Sequence, residues 1–240
     1  MCTDKKGKLM LKLDSIYKSY GRAQILSGAC LDIQKGDCTA IIGGNGCGKT
    51  TLIQILCGVI KADSGSILNG GKPVNRADFK RLFGYLPQGD PLIDELSVKD
   101  NLKLWYSAMD IPFKDDPLIK KLGIDKFINK PVNKLSGGMR RRVSLCVAMT
   151  NNAPILVMDE PTTALDFVAK AEIWELLNDY IQNGGTLVVT THDYDEIKHC
   201  SRLMLMKNGV LKEIDKNTPY DKIVDELKHR DMQTGEKNEG

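Results

Sequence analysis

The run Gly43-Gly44-Asn45-Gly46-Cys47-Gly48-Lys49-Thr50 constrains the fold more than any other part of the chain. It fits the pattern G-x-x-x-x-G-K-[ST], which requires a strand before it and a helix after it. Cys38–Ile42 is a short apolar strand running into the glycines, and Lys49–Leu56 has helical character with Gly58 placed to end it. Glycines let the backbone curl until several N–H groups point inward and form a concavity for anions. The helix that follows adds its positive N-terminal end. Lys49 can reach the β- and γ-phosphates of a nucleotide, and the Thr50 hydroxyl can ligate Mg²⁺. Nucleotide contacts are therefore expected over Gly43, Asn45, Gly46, Cys47, Gly48, Lys49, Thr50 and Thr51. A glycine-rich turn that only happens to precede a lysine would not need the flanking strand and helix.

A second constellation lies at Ile155-Leu156-Val157-Met158-Asp159-Glu160, two carboxylates ending an apolar strand. Phosphoryl transfer needs one carboxylate near the metal and, for hydrolysis, a group that orients water. Asp159 suits the first role and Glu160 the second. Neighbouring strand residues point to opposite sides, so both face one site only if the backbone turns there, as Pro161 suggests.

Elsewhere strands alternate with helices, which implies a sheet with parallel strands at its centre. Lys8–Leu13 and Ala29–Ile33 read as strands joined through a turn at Tyr20–Gly21. Gly65–Leu68 and Lys72–Val74 read as a hairpin, as do Leu203–Met206 and Val210–Glu213 around Asn208-Gly209. Leu96–Ser107 and Pro117–Ile128 look helical, and a further helix begins after Gly138. Ala169–Ile181 carries Ile173, Leu176, Leu177 and Tyr180 on one face, and Thr186–Thr191 is a buried type of strand. The helical stretch Asp90–Lys134 interrupts the alternation and reads as a small inserted lobe, about residues 90–150 with the helix after Gly138 included. Residues 1–225 are expected to form one domain, and residues 226–240 a polar, disordered tail.

Composition narrows the class. The net charge of +3 is too small to argue for nucleic acid or an anionic membrane. Seven scattered cysteines form no Cys-x-x-Cys pair, which removes support for zinc and suggests reduced thiols in a cytosolic protein. No signal peptide opens the chain, and no apolar run approaches the about 18–20 residues of a membrane helix.

Leu135-Ser136-Gly137-Gly138-Met139 precedes a helix that starts with Arg140, Arg141 and Arg142. A serine and two glycines before a helix make another anion-binding end. One nucleotide does not need both this and the Gly43–Thr50 loop from the same molecule. Together these motifs resemble, in order and over roughly Leu9 to Glu213, the nucleotide-binding subunit of an ABC (ATP-binding cassette) transporter. The resemblance implies an α/β fold: a P-loop NTPase core with a mixed or parallel central sheet, an antiparallel β subdomain and an inserted helical subdomain. It gives Tyr20 an adenine-stacking role and makes Gln88, in Tyr85-Leu86-Pro87-Gln88, the glutamine that senses Mg²⁺ or water. It places Asp166, in Thr163-Ala164-Leu165-Asp166, at a dimer contact and makes His192 the switch histidine. Ser136, Gly137 and Gly138 would clamp ATP held by the phosphate loop of a second cassette, identical or homologous. Three positions depart from the common pattern: Met139 stands where glutamine is usual, Gly44 where proline is common and Thr163 where serine is common.

The expected mechanism follows. ATP binds with Mg²⁺; Thr50, Gln88 and Asp159 hold the metal shell; Glu160 activates water and His192 contacts the γ-phosphate. Arg140–Arg142 reads as a solvated face with partner contacts rather than a nucleic-acid patch. Cys47, among inward-facing amides, is expected to favour thiolate, so that alkylation would block binding. The chain would work as a peripheral ATPase on the cytoplasmic face of a membrane, driving separate transmembrane permease subunits. Leu96-Ser97-Val98-Lys99-Asp100-Asn101-Leu102 resembles cassettes of two-component exporters. The rival readings are a soluble ATPase of this class in assembly, DNA or ribosome work, and a nucleotide-gated module that barely hydrolyses.

Overall fold

The computed structural model describes residues 9–113, 116–163 and 165–228. Two sheets organise it. Strands β1 (Leu9–Tyr20) and β2 (Ala23–Gln34) pair antiparallel and extend well beyond the segments predicted for them, around a turn at Gly21 with φ of 60°. With β4 (Ser64–Asn69) and β5 (Lys72–Pro73) they form a four-stranded antiparallel sheet ordered β2-β1-β4-β5.

The central sheet has six strands. β3 (Cys38–Ile42), β6 (Phe83–Leu86), β7 (Ile155–Asp159), β8 (Thr186–Thr191), β9 (Arg202–Lys207) and β10 (Val210–Ile214) lie in the order β10-β9-β3-β8-β7-β6. All neighbours are parallel except β9 and β10, which form the predicted terminal hairpin. Every residue of β3, β7 and β8 is buried. Continuous apolar runs of this kind belong to parallel strands covered on both faces.

The side chains of these strands alternate between two cores. Cys38, Ala40 and Ile42 of β3, Leu156 and Met158 of β7, and Leu187 and Val189 of β8 pack toward helices α3 (Val98–Ala108), α5 (Gly137–Met149) and α6 (Phe167–Gln182). Ile41, Ile155, Val157 and Val188 pack on the other side, toward helix α1 (Lys49–Leu56) and the apolar face of β1 and β2. The antiparallel sheet and α1 thus form one layer, and the long helices the other.

Several elements differ from expectation. The helix predicted over Pro117–Ile128 is split. Helix α4 (Pro117–Lys121) ends before Gly123, whose φ of 64° breaks the helical path, and a 3-10 turn follows at Ile124–Phe127. Helix α2 (Arg76–Leu82), closed at its start by an Asn75–Asp78 capping box, and strand β6 were not predicted. Nor were α7 (Tyr194–Lys198) and most of α8 (Tyr220–Lys228). The tail predicted from residue 226 lies outside the described residues from 229 onward.

Strand register sets up the site. Ile42 is level with Thr191, Asp159 with Thr190, and Leu86 with Met158. The segments that follow β3, β6, β7 and β8 therefore leave the same edge of the sheet side by side. Ligands of open α/β sheets bind at such carboxyl edges.

Candidate nucleotide-binding site

The loop after β3 is held by its own backbone. Gly46 has φ of 73° and Gly48, the residue before α1, has φ of 105°, a region open to glycine. A side chain on Gly48 would also press on Ile25 and Leu26 at 3.1 Å. Lys49 is buried, and its Nζ donates to the carbonyls of Gly43 at 2.9 Å and Gly44 at 3.2 Å. The ammonium group is thereby held over the loop.

The Cys47 side chain is buried in the apolar cluster beneath the loop with Leu26, Ile41 and Met206. Its sulfur fills the space beside Gly43, where a Cβ would approach it to 2.6 Å. The thiol therefore does not sit among the inward-facing amides, as the sequence suggested.

The loop borders an open cleft of about 520 Å³, lined also by Tyr20, Ile25, Gln88, Glu160 and His192. A volume of this order suits a small-molecule ligand. Asn45, Gly46, Lys49, Thr50 and Thr51 line its phosphate end, and Tyr20, half-exposed at the end of β1, stands at its margin.

Glu160 is the hub of the opposite wall. Its Oε2 accepts from Gln88 Nε2 at 3.3 Å and from Thr163 Oγ1 at 3.2 Å, and its Oε1 lies 3.3 Å from His192 Nδ1. The turn that aims it there is made at Glu160 itself, whose φ is 46°. Its N–H donates to the carbonyl of Thr190 at 3.0 Å. Asp159 is buried; one carboxylate oxygen accepts from the Thr190 hydroxyl, and the other, Oδ2, is buried with no hydrogen-bond partner among the described residues. A buried carboxylate oxygen left without a partner, one residue before Glu160 of the cleft wall, is the donor chemistry Mg²⁺ takes. The residues present therefore fit that ion.

Of the predicted site residues, Gly43, Cys47 and Asp159 do not line the cleft themselves, and four more lie apart from it. Ser136, Gly137, Gly138 and Asp166 do not line the cleft. Ser136 caps α5 by accepting from the N–H of Met139 at 3.3 Å, and Asp166 caps α6 by accepting from that of Ala169 at 2.9 Å. The two helix starts are neighbours, since a Cβ on Gly138 would lie 3.5 Å from that of Ala169. Ala164, within the loop before Asp166, lies outside the described residues.

Sequence reasoning missed the groups behind the wall. Arg140–Arg142 was read as a solvated face, yet Arg141 is 5% exposed and its guanidinium donates into backbone carbonyls. Burial pulls its pKa below the usual arginine value. Spacing could have revealed it, because Arg141, Leu145 and Ala148 lie along one buried stripe of α5. Glu196 of α7 is also buried; it accepts from the Thr162 hydroxyl, and burial raises its pKa. Arg140 is half-buried and pairs with Asp90 and Asp94.

Comparison with known proteins agrees with this geometry. The family model described as ABC transporter matches residues 26–163. Over 207 residues the chain is 35% identical to the Nod factor export ATP-binding protein I of Paraburkholderia xenovorans (strain LB400), covering 83% of this chain and 68% of that protein. Over 191 residues it is 33% identical to the lantibiotic transport ATP-binding protein SrtF of Streptococcus pyogenes, covering 79% and 83%. Among solved structures, the dimeric post-hydrolysis state of the ATP-binding cassette MJ0796 bound to ADP and Pi superposes with a TM-score of 0.78 at 26% identity, covering 86% of this chain and 99% of that one. A family match over more than half the chain, spanning the phosphate loop and the acidic strand end, makes this protein a member of the ABC transporter ATP-binding family.

Proposed function

We propose that this chain hydrolyses ATP as one of two stacked cassettes, and that their closing and reopening drives export through separate membrane-spanning subunits. The convergence of Gln88, Thr163 and His192 on the Glu160 carboxylate carries the reading. A carboxylate held by three polar groups facing a phosphate-binding loop is suited to orient water and take its proton. Lys49 and the loop amides bind the phosphates, Tyr20 stacks on the base, and His192 contacts the γ-phosphate. Thr50, Asp159 and Gln88 would hold Mg²⁺, which neutralises charge on the phosphates when bound.

The Ser136–Gly138 helix start and Asp166 lie side by side outside the cleft. In this reading they meet the nucleotide and phosphate loop of a second cassette, a copy of this chain or a homologue. None of the described helices is long and apolar enough to cross a membrane. Relatives named for Nod factor export and lantibiotic transport favour export over the soluble roles. Residues 90–150 serve as the lobe that meets the permease, with the cassette peripheral on the cytoplasmic face.

The test is co-expression with any multi-span hydrophobic protein found encoded beside it, followed by purification from detergent-solubilised membranes. Stoichiometric recovery of a multi-span partner, with ATPase activity that rises more steeply than linearly with cassette concentration, is expected. A chain that hydrolyses ATP as a monomer and retains no membrane partner would overturn the reading.

A further inference from the structure

The cation behind the catalytic wall is held by four backbone carbonyls. Arg141 Nε donates to the carbonyl of Pro161 at 2.6 Å, and Nη1 to that of Pro87 at 3.0 Å. Nη2 donates to the carbonyls of Asp159 at 3.2 Å and Glu160 at 3.0 Å. Four of the five N–H donors of a guanidinium are thus spent on backbone oxygens. The nearest carboxylate, Asp90 Oδ1, stands off at 3.9 Å. A buried cation placed to serve carbonyls rather than an acid is organising backbone.

The carbonyls it takes are informative. Those of Asp159 and Glu160 belong to the two peptide planes that flank the Glu160 Cα. Fixing both planes sets φ and ψ at Glu160, and with them the direction of its side chain. That residue is held at φ of 46°, a left-handed conformation that glutamate adopts only when its surroundings impose it. The Pro87 carbonyl belongs to the loop that carries Gln88. Arg141 itself lies one turn into α5, whose first residues follow the Ser136 cap.

We propose that Arg141 is a positioning residue: its guanidinium holds the backbone of Glu160 and the Gln88 loop in one unit with the start of α5, and so aims the carboxylate that orients water. The inference rests on the reading of Glu160 given above. A lysine ammonium presents its donors from one point and cannot span carbonyls 54 and 18–20 residues away in sequence on two separate segments.

The experiment compares the full-length chain with Arg141→Lys, Glu160→Gln and the double variant. Steady-state turnover, equilibrium ATP binding and single-turnover hydrolysis are measured on each. A misaimed carboxylate is expected to lower kcat of Arg141→Lys by about 10–100-fold. Affinity for ATP should stay within about twofold, because the phosphate loop is untouched. In the Glu160→Gln background Arg141→Lys should bring no further loss, which a general loosening of the fold would not reproduce. Arg141→Gln, which keeps two N–H donors, gives the same comparison if the lysine variant does not fold. A folded variant with near-parental kcat, or losses that multiply in the double variant, would overturn this inference alone. Full turnover by Glu160→Gln would instead remove the catalytic reading of Glu160.

Discussion

Gln88 Nε2 lies 3.3 Å from Glu160 Oε2, although 72 residues separate them. The contact exists because β6 and β7 are parallel neighbours with Leu86 level with Met158. Gln88 follows the end of β6 by two residues and Glu160 follows the end of β7 by one, so the strand register delivers the pair to one place. His192 arrives in the same way from β8.

Replacing Glu160 by glutamine preserves shape and removes the base. ATP affinity is expected to stay within about twofold, while turnover falls by about 10²–10⁴-fold, the usual contribution of a positioned general base. Phosphate release under saturating ATP measures it. Gln88→Ala removes a donor to the Glu160 carboxylate, a charge-assisted contact of about 1.5–3 kcal/mol, and should cost turnover about 10–100-fold. A larger loss in Gln88→Ala than in Glu160→Gln would reverse the assignment of the two residues.

Lys49 makes a different prediction. Its Nζ is held at the Gly43 and Gly44 carbonyls, and it is the buried cation of the phosphate end. Charge-assisted hydrogen bonds contribute about 1.5–3 kcal/mol each. Lys49→Ala should therefore weaken ATP binding by about 10–100-fold. Anisotropy of a fluorescent ATP analogue reads this directly, and unchanged affinity would count against the loop assignment.

Legibility followed the range of the interactions. β3, α1 and β8 stand at the bounds their residues suggested, because apolar runs and glycine punctuation are local signals. The acidic strand end was legible for the same reason. What could not be read was tertiary. β6 is four residues long with a glycine inside, and it is a strand because β7 pairs with it. Helix α7 has five residues and takes its start from the Asp193 cap. Arg141 stands between Arg140 and Arg142, and although its spacing with Leu145 and Ala148 marks the buried side of α5, the backbone carbonyls it meets at the end of β7 are a tertiary contact.

Gly84 tests how closely α5 must approach β6. A Cβ there would lie 2.1 Å from the carbonyl oxygen of Ala148 and 3.1 Å from Leu156 Cδ1. A backbone oxygen cannot rotate away, so Gly84→Ala must push α5 off the sheet. Overpacking of this kind costs about 1–3 kcal/mol. For a domain of this size each kcal/mol lowers Tm by about 2–4 °C. Calorimetry should show that drop, together with reduced turnover, since Arg141 rides on the same helix. A Tm equal to that of the parent would mean that α5 has slack at this point.

The pairing of Trp174 with His199 predicts the response to acid. Their rings stack with centroids 4.4 Å apart and planes 7° from parallel. Burial holds the imidazole below its ordinary pKa of 6.5, with Lys198 adding to the depression and Asp195 opposing it. Between the folded value and 6.5 the unfolded chain binds more protons than the folded one, so stability rises with pH in that window. The contribution is complete above 6.5 and is lost as pH falls through the window toward the folded value. His199→Phe keeps an aromatic face against Trp174 and cannot ionise. The urea midpoint, followed by tryptophan fluorescence, should fall more between pH 7.5 and 5.5 in the parent than in this variant. Identical pH responses in the two proteins would show that the folded state does not disfavour the His199 charge.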